Sequence, residues 1–169
     1  MVMRKAIVVI AALLFLAWAN IGIYGKEQLL AKGRVVLLEL APVDPRSLVQ
    51  GDYMALRFRA ADEAFGAGTD KRRIPGDGRL VLSSDERGVA AFKGFDDGTP
   101  LSAREVVIRY RIRGGQPRFA TNAFFFQEGH AGLYTDARFG EFRVDDKGEC
   151  ILTGLRDGKL KKLGPPTGG

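Results

Sequence analysis

Two periods divide the chain. From residue 6 to residue 25 the run AIVVIAALLFLAWANIGIYG carries no charge and offers no polar face, and at about 1.5 Å per residue it predicts a helix able to cross a bilayer. KEQLLAK (26–32) holds good helix formers and stops at Gly33, so it extends that helix by a turn or two. Beyond Gly33 the spacing turns to two. RVVLLEL (34–40) reads as a strand, and YMALRF (53–58) sets Met54, Leu56 and Phe58 on one face against Tyr53, Ala55 and Arg57 on the other.

The later strands follow the same rule. RLVLSS and VAAFKGF are joined by Asp85-Glu86-Arg87-Gly88, a hairpin-length connection. REVVIRYRIR points Val106, Ile108, Tyr110 and Ile112 inward and Arg109, Arg111 and Arg113 outward, an arginine row read as a solvated face. The triple phenylalanine 124–126 breaks the alternation and predicts a strand covered on both sides. HAGLYTDA predicts a turn or two of helix, and RFGEFRV with ECILTGL predicts a terminal hairpin about Asp145-Asp146-Lys147-Gly148. EAFGAGTDKRRIPGDG (63–78) has no apolar period and reads as a loop, while GKLKKLGPPTGG (158–169) reads as an unordered tail. The expected fold is mainly β: an N-terminal transmembrane helix followed by a compact antiparallel β-barrel or sandwich. Its parts are a cytoplasmic N-terminus (1–5), a signal-anchor helix (6–25), a juxtamembrane extension (26–33), an extracytoplasmic β-domain (34–157) and the tail (158–169).

Charge adds a location. Net charge is +6, and setting aside Arg4 and Lys5 leaves 24 basic against 20 acidic residues, too mild and scattered an excess for nucleic acid. Arg4 and Lys5 before the apolar run keep that end in the cytoplasm, with Trp18 and Tyr24 suited to the outer interface, so the expected location is the bacterial inner membrane with the β-domain outside. Ile7 to Leu16 followed by Ala17-Trp18-Ala19 also fits a cleaved signal peptide. Apolar residues continuing through Ile21, Ile23 and Tyr24 favour a retained anchor. The single cysteine, Cys150, excludes an intrachain disulfide and a lipoprotein anchor, and reads as a small buried apolar residue.

APVDPRSLVQGDYMALRF (41–58) concentrates the punctuation of the chain. Pro42 and Pro45 cannot donate to a ladder, so the strand ending near Leu40 must leave its sheet. Gly51 permits a turn, Asp52 can accept backbone N–H bonds within it, and the chain re-enters a strand at Tyr53. Gly51-Asp52-Tyr53, Leu56 and the aromatic Phe58 resemble the signature of the GDYXXLXY family. PVDPRSL, FFFQEG, YTDARFGEFRVD and LTGLRD are similar to its other blocks, so the resemblance covers about residues 34 to 157, with Phe58 in place of the final tyrosine. The resemblance implies a membrane-anchored protein of a family without an assigned activity, often encoded with or fused to a multi-pass membrane domain.

No complete catalytic set is present. VDPRSLVQGD is similar in its last half to the serine motif of type I signal peptidases, but aligning Gly-Asp puts Val43 where the nucleophile belongs. Ser47 falls four residues too late, and Lys93 is the lysine to test as its base. His130 is the only histidine. With Glu128, Asp136 and Glu141 it could bind a cation, yet Arg138 and Arg143 beside them point to ion pairs. The glycines at 66, 68, 76 and 78 lack the Lys-Ser/Thr of a phosphate loop. The expectation is an accessory or binding module beside a multi-pass membrane partner, with no cofactor. Asp44, Arg46, Gly51, Asp52 and Tyr53 would join Gln127, Glu128, Tyr134, Arg138 and Glu141 in one interaction surface. The alternatives are a hydrolase related to signal peptidases and a small-solute-binding domain.

Overall fold

The computed structural model describes residues 2–41, 49–50, 53–66 and 75–165. Helix α1 (Val2–Lys32) is the apolar run with its extension, and within it Val9–Lys32 is long and apolar enough to span a membrane. Its side chains from Val9 to Trp18 and from Asn20 to Tyr24 are exposed, with no protein cover. Leu29 is buried against the domain, and Gly33 N–H closes the helix on Leu29 C=O at 2.9 Å. A side chain at Gly33 would collide with that carbonyl, 2.4 Å from an ideal Cβ, so glycine lets the chain turn sharply into β1.

Strands β1 (Arg34–Glu39), β4 (Asp77–Ser84), β5 (Val89–Phe95), β6 (Glu105–Arg113), β7 (Gln116–Arg118), β9 (Phe139–Val144) and β10 (Cys150–Arg156) form one seven-stranded sheet in the order β10-β9-β1-β5-β4-β6-β7. The sheet curls into a half-barrel. Arg109 N–H on β6 donates to Gly148 C=O in the β9–β10 turn at 2.8 Å, although the two lie far apart in strand order. Both expected hairpins form, each with a glycine at positive φ where the turn needs it, Gly88 at +81° and Gly148 at +81°. Antiparallel pairing prevails with one exception: β1 lies parallel to β5, because the chain between them leaves the sheet and returns.

That excursion begins with the 41–58 stretch. Leu40 bridges Phe58, and Ala41 N–H donates to Arg57 C=O at 2.8 Å, so the segment starts and ends at one point. Within it β2 (Val49–Gln50) and β3 (Tyr53–Ala55) pair, and β8 (Ala123–Phe125) joins them to complete a second sheet in the order β2-β3-β8. Helix α2 (Arg59–Phe65) comes next, so the loop expected over 63–78 is shortened at both ends, by α2 and by β4. RAADEAF is short for a periodic signal, but its Ala60, Ala61 and Ala64 are small enough to lie close on the sheet while Phe65 packs against Tyr110 at 4.8 Å between ring centres.

The core fills the curl. Val36, Leu38, Leu80, Leu82, Ile108, Phe142 and Leu155 are fully buried, each contributing roughly 2 kcal/mol of transfer free energy. Met54, Leu56 and Phe58 face inward as their alternation demands. Phe58 meets Phe142 edge-on at 5.3 Å and Phe119 at 6.0 Å. The tail also differs from expectation: through Pro165 it is folded back, with Leu163 N–H on Leu155 C=O at 2.8 Å and Asp157 Oδ1 accepting from Lys159 and Lys161 N–H.

Candidate interaction surface

The small sheet brings two sequence blocks together. Tyr53 of the GDY block lies opposite Phe125 of the FFFQEG block, with ring centres 5.8 Å apart, and the ladder continues through Met54 opposite Phe124 and Ala55 opposite Ala123. Phe125 is 73% exposed, so the triple phenylalanine is not covered on both sides. Alternation survives: Phe124 and Phe126 turn inward onto Tyr134, at 5.0 and 5.4 Å, and Phe125 alone turns out. Gln127 and Glu128 follow on the surface. Gly129 at φ +80° opens the turn into the short 3₁₀ segment Ala131–Tyr134, the helical turn expected from HAGLYTDA.

The other named residues divide. Tyr134 is buried, its ring clamping the β8 phenylalanines, and so packs beneath the surface it was expected to join. Glu141 is buried on β9 and also drops out. Its Oε1 accepts from Thr153 Oγ1 at 2.9 Å and its Oε2 from Arg156 Nε at 2.6 Å. Burial opposes the charge of Glu141, but the bonds from Thr153 and Arg156 outweigh it and hold the carboxyl below the ordinary range. Arg156, not Arg138 or Arg143, is thus the partner of Glu141. Arg143 instead donates to Gly33 C=O at 2.9 Å, tying β9 to the end of α1, while Arg138 contributes main-chain bonds to Leu40 and Arg156 and leaves its side chain exposed. Asp44, Arg46, Gly51 and Asp52 lie outside the described residues.

The chemistry of the alternatives finds these placements. Lys93 is paired with Glu105, whose carboxyl is held below its usual range by the Lys93 bond and by Ser102 N–H. Ser47 lies outside the described residues, and among them no serine hydroxyl hydrogen-bonds a lysine or histidine. Among the described residues no group of three His, Cys, Asp or Glu side chains could hold a metal ion. Cys150 is buried, and burial, with Glu149 beside it, pushes its thiol up to about 12.

Two concavities border these elements. One, of about 540 Å³, is lined mainly by Phe124, Tyr134, Leu163 and Pro165 beside Thr153 and Lys162. The other, of about 420 Å³, is lined by basic side chains, Lys26 of α1, the β6 arginines and Arg118 of β7, beside Glu149 and Cys150. The arginine row on β6, read from sequence as a solvated face, forms one wall of it. What sequence lacked was the fold-back that adds residues from α1 and β7.

A single apolar N-terminal helix leading straight into a curled β half-barrel with an aromatic outer edge defines the class: a β-domain on one helix long enough to span a membrane. The chain belongs to the GDYXXLXY protein family, whose model matches residues 15–155. No curated protein and no solved structure matches the chain.

Proposed function

We propose that this protein is a single-pass inner-membrane protein, N-terminus in the cytoplasm, whose extracytoplasmic β-domain is an accessory module that binds a multi-pass membrane partner. The observation that carries the reading is the aromatic pair on the small sheet, half-buried Tyr53 beside exposed Phe125. Aromatic side chains in the open cost solubility, and they recur as anchors at the centres of protein interfaces. β8 ends its sheet, and its outer edge pairs with no strand among the described residues, so it can accept a strand or loop of the partner. Gln127 and Glu128 give a polar rim beside the pair.

The test is affinity purification of the full-length protein from solubilised membranes, comparing wild type with Phe125→Ser at equal membrane abundance. The reading expects a multi-pass protein to co-purify with the wild type and to be lost from the variant. Retention of the same partner by Phe125→Ser, or no multi-pass protein with either, overturns it.

A further inference from the structure

Where α1 emerges from its apolar run, five cationic side chains line one cleft: Lys26 from the helix, Arg109, Arg111 and Arg113 from β6, and Arg118 from β7. One carboxylate, Glu149, faces them, and it pairs with Arg109. Arg113 is engaged by Asp77 at 3.1 Å. Lys26, Arg111 and Arg118 have no ionic partner among the described residues. Arg111 stands directly opposite Arg118 in the β6–β7 ladder, where like charges repel, and on its other side opposite Asp77 of β4, whose carboxylate is taken by Arg113. An anion seated between Arg111 and Arg118 removes that repulsion.

The place of the cleft identifies the anion. Lys26 is the first charge after the uncharged stretch 6–25, and a charged side chain is costly in the hydrocarbon core, so an α1 that spans by that stretch holds the cleft at the level of the outer-leaflet phosphates. Its volume of about 420 Å³ lies within the range of small-ligand sites, roughly 300–1,000 Å³. Guanidinium groups suit phosphate oxygens through paired N–H donors.

We propose that this cleft binds the phosphate of an anionic phospholipid headgroup and so fixes the β-domain against the membrane surface. The proposal rests on α1 spanning the bilayer and is independent of the aromatic edge. A zwitterionic headgroup fits worse, because its ammonium enters the field of the same five cations.

The test uses full-length protein in neutral maltoside micelles at low salt, titrated with dioctanoyl phosphatidylglycerol and read by thermophoresis. Dioctanoyl phosphatidylcholine, inorganic phosphate and a glutamate-rich peptide are the comparisons. At roughly fivefold per basic residue near an anionic surface, Arg111→Gln with Arg118→Gln should weaken phosphatidylglycerol binding about 25-fold. Arg87→Gln with Arg104→Gln, which removes equal charge elsewhere, should change it by less than about twofold. Phosphatidylcholine should bind about tenfold more weakly than phosphatidylglycerol. If the cleft variant does not fold, Lys26→Gln replaces it, with a loss of roughly fivefold expected. Equal losses in the cleft and control variants overturn the proposal, as does phosphatidylcholine binding equal to phosphatidylglycerol. Inorganic phosphate binding as tightly as the lipid would make this a free-phosphate site, and tighter peptide binding would make it a protein-docking site; either overturns the lipid assignment. Failure of α1 to anchor is read separately, by alkaline extraction of membranes.

Discussion

Replacing Arg156 with methionine should be among the most costly single changes to the β-domain that leaves its apolar core intact. Arg156 Nε holds Glu141 Oε2 at 2.6 Å, and its Nη1 donates to Leu160 C=O at 2.6 Å, so one side chain satisfies a buried carboxylate and pins the folded-back tail. With Arg156→Met the carboxylate, only 9% exposed, keeps the Thr153 hydroxyl as its remaining side-chain donor. Breaking a buried pair from one side costs about 3–5 kcal/mol. The Arg156 side chain is 29% exposed, so water can partly replace it, and the expected cost is about 2–3 kcal/mol. At roughly 3–4 °C per kcal/mol for a domain of this size, Tm falls by about 6–12 °C.

Cys150 supplies the assay. As the only cysteine, buried and with its thiol pushed up to about 12, it should stay unreactive to a fluorogenic maleimide in the native protein and label on unfolding. Heating full-length protein in detergent with the dye therefore reports loss of the domain. The double variant Glu141→Gln with Arg156→Met removes charge and counter-charge together, and should recover all but about 1 kcal/mol. The pH dependence has a definite sign. Glu141 unfolded titrates near 4.3 and folded lower, so its ionisation stabilises the domain above about pH 4.3 and that contribution disappears as pH falls through the folded value. The gap between wild type and Glu141→Gln should thus be widest at neutral pH. An Arg156→Met variant within about 2 °C of wild type, or a double variant as unstable as the single, would refute the reasoning.

Gly148 and Gly94 make a matched pair. Gly148→Ala must hold a side chain at φ +81° with its Cβ 3.0 Å from Val107 Cγ1, which should cost about 1–3 kcal/mol and loosen the contact that curls the sheet. Gly94→Ala meets nothing within 4 Å and should stay within about 0.5 kcal/mol of wild type in the same maleimide melt. If the two variants melt together, the curl does not depend on that turn.

The strands are legible because each carries its own period: β6 alternates arginines with Ile108 and Tyr110, and the hairpins at Gly88 and Gly148 announce themselves by turn chemistry. Pairings between distant segments are not. Nothing local tells that β1 lies parallel to β5, that Tyr53 meets Phe125, or that Arg156 reaches Glu141, since each depends on how the curl closes. Helix α2 escapes because its buried face is mostly alanine, which signals little hydrophobic period. The exposure of Phe125 is hidden for a related reason: three equal residues mask an alternation that the ladder restores.

The 41–58 stretch acts as a corner of the fold on the evidence of its described residues. Leu56 and Phe58, two positions of the family signature, are each 2% exposed and point into the core, and the Phe58 ring lies so near Gly140 that a Cβ there would come within 2.9 Å of it. Phenylalanine suffices at the last signature position because what the position does is pack, against Phe119 and Phe142, with no polar group asked of it. The Leu40–Phe58 bridge joins the two ends of this stretch, and Tyr53 within it lies beside Phe125. A signature built this way specifies where a surface is displayed. The inward residues fix the corner, and the aromatic pair is what that corner displays.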